Sequence, residues 1–361
     1  MTAIHQFLPT FAGRDAIGMH VLRLQRLLRD AGFDSDIYAT HLHDEVMHAG
    51  YDFGEFRRRN PRPAETWGLY HYSIGSPMIE ALRTSGVQLA LDYHNITEAR
   101  FFLRWDATAA ITMFDGRRQL ASLRDAVRFS LADSSFNEAE LTELGFTNTA
   151  VAPILIDFAD FEGNADQTLL EQRAARRASG GAEWLAVGRI APNKCLHDVV
   201  AGFALYRRCY DPNAHLTLVG GYAAPSYGQA LKAQCAALGV TNAVTLTDVV
   251  THEELLACYR TADVFMIMSE HEGFSVPVLE AMHTGVPVVA YGCCALPETV
   301  GDGGLLLESK DPVVVGTAVH EVLNSRELRE ELVAAGHRRV EHFSLANTGP
   351  QVLATLKELM A

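Results

Sequence analysis

No lysine occurs in the first 150 residues, where 15 arginines stand against 19 acidic residues. That half carries a net charge of −4, leaving −10 of the formal −14 for the remainder. So acidic a balance argues against a nucleic-acid binder, whose affinity rests on neutralising phosphates. Cysteine is also missing from the first half: all six (195, 209, 235, 258, 293 and 294) lie beyond it, without metal-site spacing. Reduced structural thiols and a cytoplasmic compartment are the expectation. No apolar run approaches the roughly eighteen residues that a transmembrane helix needs. The start, Thr2-Ala3-Ile4-His5-Gln6-Phe7-Leu8, lacks the charged leader of a signal peptide and reads as a first strand.

Hydrophobic residues make up 48% of 361, enough for two full cores, so two domains are the default. Short apolar runs alternate with amphipathic segments, the pattern of a parallel sheet covered by helices. Strands are expected at 4–8, 35–39, 68–72, 89–93, 109–112, 129–132 and 149–152. The rhythm restarts at 184–188, 215–219, 244–246, 264–268, 286–290 and 304–307. A helix is expected from about Ile17 to Ala31, with apolar residues at 17, 21, 24 and 28 and Gly32 as its stop. The predicted architecture is α/β, with two Rossmann-like doubly wound domains. Residues 1–155 form the first and 156–345 the second, with a linker region over 153–181. A C-terminal helix over 346–361 packs back on the first domain. A ligand cleft is expected between the halves, outside the carboxyl ends of the strands.

Three segments at predicted strand ends carry chemistry. After the strand 264–268 comes Glu270-His271-Glu272-Gly273-Phe274-Ser275-Val276-Pro277-Val278-Leu279-Glu280. Gly273 permits a tight turn, Pro277 suits a first helical position, and the N–H groups of Phe274 to Val276 point out of a helix N-terminus, a seat for an anion. Glu272 beside that seat and Glu280 two turns on suit a ligand with both hydroxyls and phosphates, as in a sugar nucleotide. After the strand 184–188, Arg189 and Lys194 flank a loop before a helix, where two cations compensate a diphosphate without a metal. His94 closes the strand 89–93 in Tyr93-His94-Asn95-Ile96-Thr97. The loop Gly13 to Gly18, with Asp15 and Ala16 between, offers backbone to a phosphate, a signal common to many strand-to-helix turns.

Arg189-x4-Lys194, Glu272-x7-Glu280, Gly285-Val286-Pro287-Val288-Val289-Ala290 and Leu296-Pro297-Glu298-Thr299-Val300-Gly301 together resemble the retaining family 4 glycosyltransferases of GT-B fold. In the first half, Asp15-Ala16-Ile17-Gly18, Tyr70-His71-Tyr72-Ser73-Ile74-Gly75-Ser76-Pro77 and Tyr93-His94-Asn95-Ile96-Thr97 are similar to a bacterial branch that builds surface polysaccharides. The resemblance implies a hexosyl transfer from a nucleotide-diphosphate sugar, GDP-mannose or a UDP-hexose, with a lean to GDP-mannose. The acceptor would be a glycan, lipid-linked or small-molecule hydroxyl, and neither metal nor cofactor would be required. It assigns Arg189 and Lys194 to the donor diphosphate, and Glu272 with the backbone of Gly273, Phe274, Ser275 and Val276 to sugar and phosphate. Glu280 would meet the ribose, His94 the donor sugar, and the backbone at Val249 and Val250 the base. The resemblance also implies phosphate contacts at Gly13, Asp15, Ala16 and Gly18, although Asp15-Ala16 stands where many members of that family carry Gly-Gly, and Cys195 where they carry Gly after the clamp lysine.

Other features have plainer readings. Asp34-Ser35-Asp36 resembles a metal-holding acid pair but sits at a strand start, away from the expected cleft. His41, His43, Asp44 and His48 fall in a polar loop, Cys293-Cys294 read as buried thiols, and Glu298 is either a helix cap or a cleft residue. Arg57-Arg58-Arg59 and Arg62, near Phe53, Phe56 and Trp67, form either a solvated loop or a surface for an anionic acceptor or membrane headgroups at the inner face of the membrane. Two rival functions stay open: a sugar-nucleotide epimerase or hydrolase on the same scaffold, and a non-catalytic sugar-nucleotide-binding subunit.

Overall fold

The computed structural model describes every residue except Met1, Arg14, Pro61 and Ser179. It divides into two compact units. The first holds Met1–Ala99, Thr108–Ile156 and Phe343–Ala361; the second holds Arg100–Ala107 and Asp157–His342.

In the first unit, seven parallel strands form one sheet: β1 (Ala3–Phe11), β2 (Ile37–Leu42), β3 (Tyr51–Asp52), β4 (Thr66–Tyr72), β5 (Gln88–Tyr93), β6 (Ser130–Ala132) and β7 (Thr149–Val151). Their order is β3-β2-β1-β4-β5-β6-β7. The chain winds one way from β1 to β3, then returns to lay β4 on the other side of β1. This reversal is the topological switch point at which ligands bind doubly wound sheets. Every residue of β4 is buried, as a strand covered on both faces requires. The helix Ala16–Asp30 starts at its Asp15 cap, whose carboxylate accepts from the Gly18 N–H at 2.7 Å. The C-terminal helix Leu345–Met360 belongs to this unit, with Val352 and Leu356 packed among Ile4, Leu24 and Leu28.

The second unit repeats the plan with β8 (Glu183–Val187), β9 (His215–Val219), β10 (Val244–Leu246), β11 (Val264–Ile267), β12 (Val288–Tyr291) and β13 (Gly304–Leu307), ordered β10-β9-β8-β11-β12-β13. Its switch point lies between β8 and β11. Arg189 and Lys194 follow β8, and the Glu270–Glu280 segment follows β11.

Two expectations are corrected. Residues 109–112 are not a strand but lie inside the helix Ala107–Ser122, because a short apolar run does not by itself distinguish the two periods. The stretch 153–181 is not a linker throughout. Its helix Gln167–Arg177 buries Arg173 to 2% exposure, where the guanidinium meets Glu183, Thr217 and Cys258 inside the second unit.

Among the described residues no helix is long and apolar enough to cross a membrane. The arginine patch after β3 is largely paired: Arg58 with Glu55, Arg59 with Asp36 and over the Tyr51 ring, Arg62 with Glu65. Phe56 is buried against Phe7 and Tyr38. The aromatics there are core, and most of the positive charge is compensated locally.

Candidate functional site

In the second unit, Lys194 and Glu272 come together from loops 78 residues apart. The ammonium reaches both carboxylate oxygens, at 2.6 and 2.8 Å, with side-chain exposures of 22% and 8%. Two further bonds tie the loops. Asn193 Nδ2 donates to the His271 carbonyl at 3.1 Å, and the Glu270 N–H donates to the Asn193 carbonyl at 2.9 Å. Arg189, exposed, lines the same small cavity as Lys194, Val187, Met266 and Ser269. The switch point of this sheet therefore presents two cations and one carboxylate.

Backbone strain collects after strand ends in both units. Among the described non-glycine residues only Asn95, Cys195, Ser275 and Cys294 have positive φ. Each follows a predicted site residue or shapes its loop, where such strain concentrates. Cys195 has φ 48° and ψ 40°, a left-handed conformation that costs a non-glycine residue roughly 1–2 kcal/mol. A glycine would adopt that geometry without the penalty. Cys195 adopts it regardless, with its thiol buried and pushed up to about 11 by desolvation. Ser275, at φ 89°, precedes the helix Val276–His283, which places Pro277 at the second rather than the first helical position.

Glu280, two turns along, accepts a 2.6 Å bond from the Tyr259 hydroxyl, a partner no sequence motif pointed to. Lys310 is a third cation unforeseen in the sequence: it bonds Asp198 at 2.7 Å and also pairs with Glu270. Burial opposes its charge, but those two carboxylates hold it above the ordinary lysine value. Val249 is exposed after β10, its N–H bonded to its neighbour Asp248, with Val250 half-buried beside it. Cys293 and Cys294 are half-buried rather than buried, their sulfurs 3.3 Å apart. Glu298 lies in the helix Leu296–Val300, and its carbonyl accepts from Arg339.

In the first unit, the loop glycines are already engaged. The Gly13 N–H donates to Glu45 at 2.9 Å and the Gly18 N–H to Asp15 at 2.7 Å, so a phosphate at Gly13 would have to displace a carboxylate. Gly18 admits no side chain, because a Cβ there would lie 1.7 Å from the Ala12 carbonyl oxygen. His94 is 1% exposed at its side chain, and both ring nitrogens are bonded: Nδ1 to Asp133 at 2.9 Å and Nε2 to His71 at 2.9 Å. His71, His20, Asp92 and Asp133 were not legible as site residues. The signal available was a polar side chain inside otherwise apolar β4 and β5. Asp36 pairs with Arg29 and Arg59, and His41, His43, Asp44 and His48 gather no ligand cluster among the described residues.

Burial holds the His71 ring down to about 4 and, in the second unit, the His215 ring down to about 4, Arg176 adding to the latter. Unfolded histidine titrates near 6.5, so between 6.5 and about 4 these two rings bind more protons in the unfolded chain than in the folded one. Stability is therefore expected to fall as pH drops through that window. Urea midpoints measured from pH 7 to 4 check it, and His71→Asn should flatten part of the slope.

Residues 170–339 match the family glycosyl transferases group 1. The chain is 34% identical over 253 residues to a D-inositol 3-phosphate glycosyltransferase of Geodermatophilus obscurus, covering 66% of this chain and 54% of that one. It is 36% identical over 110 residues to O-antigen chain mannosyltransferase B of Escherichia coli, covering 30% and 29%. The chain thus spans about half the length of these curated relatives or less. Among solved structures, Anabaena HepE in complex with UDP-glucose superposes with a TM-score of 0.75 at 16% identity, over 98% of this chain and 99% of that one. That likeness shows the fold: two Rossmann-like parallel sheets, the GT-B arrangement.

Proposed function

We propose, on the premise that residues 170–339 form a glycosyl transferases group 1 domain, that this chain moves a hexosyl unit from a nucleotide-diphosphate sugar to a hydroxyl acceptor with retention of configuration. The observation that carries the proposal is the Lys194–Glu272 pair beside Arg189 at the switch point of the second sheet. Arg189 and Lys194 meet the donor diphosphate and stabilise the negative charge that develops as it leaves. Glu272 holds sugar hydroxyls, and its bond to Lys194 keeps the ammonium oriented before the donor arrives. Glu280, braced by Tyr259, accepts from the ribose hydroxyls. The anomeric carbon–phosphate oxygen bond breaks and the acceptor oxygen bonds the same face of that carbon. The acceptor's proton passes to the departing phosphate oxygen, so no separate carboxylate base is needed. His94 is proposed to act on the donor sugar, the base to be met by backbone at Val249 and Val250, and the reaction to run without a metal.

GDP-mannose and UDP-hexoses are the donors proposed; the mannosyltransferase relative supports a mannosyl unit and the UDP-glucose complex of HepE a UDP-hexose. A thermal-shift panel of GDP, UDP and the corresponding sugar nucleotides tests the site. One of the two nucleotide families should raise the melting temperature, and no shift with either removes the donor site. Incubation with donor alone separates the rival readings, since stoichiometric epimer would replace the transferase with an epimerase. An α-linked product from an α-configured donor, read by NMR, establishes retention.

Tyr259→Phe leaves Glu280 without its 2.6 Å donor. Hydrogen bonds to charged groups contribute about 1.5–3 kcal/mol, so the donor KM should rise on the order of tenfold while kcat changes less. Steady-state kinetics with varied donor measures it.

A further inference from the structure

Four buried groups in the first unit, His20, His71, Asp92 and His94, bring their nitrogen and carboxylate atoms within 4.8 Å of one another. The hydrogen bonds around them fix the tautomers of His20 and His71, because two ends of the network lie on main-chain groups of known polarity and the third is the Asp133 carboxylate. At one end, the Leu155 N–H donates to His20 Nδ1 at 3.0 Å. That nitrogen is an acceptor, so His20 Nε2 carries the proton and donates it to Asp92 Oδ2 at 3.0 Å. At the other end, Gln6 Nε2 donates to the Val21 carbonyl at 3.1 Å. The Gln6 Oε1 therefore faces His71 Nε2 at 2.9 Å and accepts its N–H. On the far side, Asp133 presents both oxygens to His94 Nδ1, at 2.9 and 3.1 Å.

Between these outer bonds, His71 Nδ1 and His94 Nε2 stand 2.9 Å apart, a distance that requires one proton between them. The two rings are 3° from parallel with centroids 5.2 Å apart, so the facing nitrogens lie in line between the rings. Their lone-pair directions point at each other. A metal ion cannot sit on both, and His20 offers no lone pair inward. The cluster is a hydrogen-bond chain rather than a chelate.

We infer that His71 and His94 share one proton across a direct N–H···N bond, and that His71 is the positioning residue that keeps His94 a cation. With Asp133 ionised, which the His94 ring favours against the burial that raises its pKa, His71 and His94 together hold three protons, one more than two neutral rings, so the pair carries one positive charge between the carboxylates of Asp92 and Asp133. The charge belongs on His94, whose Nδ1 meets the Asp133 carboxylate, whereas His71 Nε2 meets the neutral Gln6 amide oxygen. Burial works against it there, but Asp133 and Asp92, with the more distant Asp15, push that ring up to about 9, whereas burial holds His71 down to about 4. The groups facing His94 are thus His71 from β4, Asp92 from β5, Asp133 after β6, and His20 and Asp15 from the first helix and its cap. With both nitrogens committed, His94 acts through its fixed charge and its C–H edge unless the bond to His71 opens.

Imidazole-15N NMR of the full chain tests this, with signals assigned by their loss in single histidine variants. At pH 7.5, His94 should show two protonated ring nitrogens and His71 one, with Nδ1 as acceptor. A His94 with one unprotonated nitrogen overturns the inference, as does loss of the His71 and His94 signals on adding zinc ion. A kinetic arm rests on the transferase reading and fails separately from the NMR arm. His71→Leu removes the acceptor and should move the alkaline limb of kcat about one pH unit lower, whereas His71→Asn, which keeps an acceptor near Nδ1, restores it. A limb unmoved in both variants, with kcat merely reduced, assigns His71 a structural role and overturns the positioning claim. Circular dichroism of each variant confirms that the folded state is being compared.

Discussion

Lys194→Ala is expected to lower transfer by about 100- to 1000-fold, the loss seen when one preorganised group facing a developing negative charge is removed. The ammonium sits where the second sheet reverses direction, gripped by both oxygens of Glu272 and held on a loop tied down by Asn193. No other lysine replaces it there, since Lys310 is occupied by Asp198 and Glu270. The substitution also leaves the Glu272 carboxylate, 8% exposed, without its cation. A nucleoside diphosphate should then lose its thermal shift, while the apo protein loses only modest stability because the lysine is partly solvated. Measured kcat/KM within threefold of the parent would remove Lys194 from the donor clamp. Lys194→Arg is expected to recover part of the rate, limited by the poorer fit of a planar fork to a point-charge site.

Gly220→Ala should produce the largest loss of stability from a single methyl group in the second unit. Gly220 follows β9 with φ 145°, and a Cβ there would stand 2.2 Å from the Gly188 carbonyl oxygen and 2.7 Å from its carbon. These are main-chain atoms held by the bonds Gly188 N–H to Val219 and Ile190 N–H to Gly221, so no side-chain rotation relieves the clash. Overpacking costs about 1–3 kcal/mol and a positive φ about 1–2 more, so a total of roughly 3 kcal/mol is expected. Gly239→Ala is the control: φ is 71° but nothing lies within 4 Å, leaving only the conformational part. Urea unfolding of the two variants measures the difference. Transfer should fall in Gly220→Ala as well, because the displaced carbonyl precedes Arg189.

Much of the fold was legible because the signals are local. Twelve of the thirteen strands fall on apolar runs bounded by turn residues, and the match of residues 170–339 to its family bears out the resemblance carried by the second-half motifs. The misses have local causes too. The run Ala109-Ala110-Ile111-Thr112 is too short to reveal its period, and in the helix Ala107–Ser122 its Ile111 is 62% exposed, so hydrophobicity there does not report burial. The two-residue strand β3 is too short to leave a pattern.

By itself the sequence determined the element types, the doubly wound repetition, and the residue kinds at each strand end: Arg189, Lys194, Glu272, Glu280 and His94. These follow from spacing and turn chemistry within a few residues. Only the tertiary structure decided which of them are paired. Lys194 finds Glu272 across 78 residues, Glu280 finds Tyr259 across 21, and His94 finds Asp133 across 39 and His71 across 23. The proton positions depend on Leu155 and Val21, whose side chains carry no such information; their backbone N–H and C=O do. Charge state in a buried cluster is set by donors and acceptors brought together by the sheet order, and a linear pattern does not contain that order.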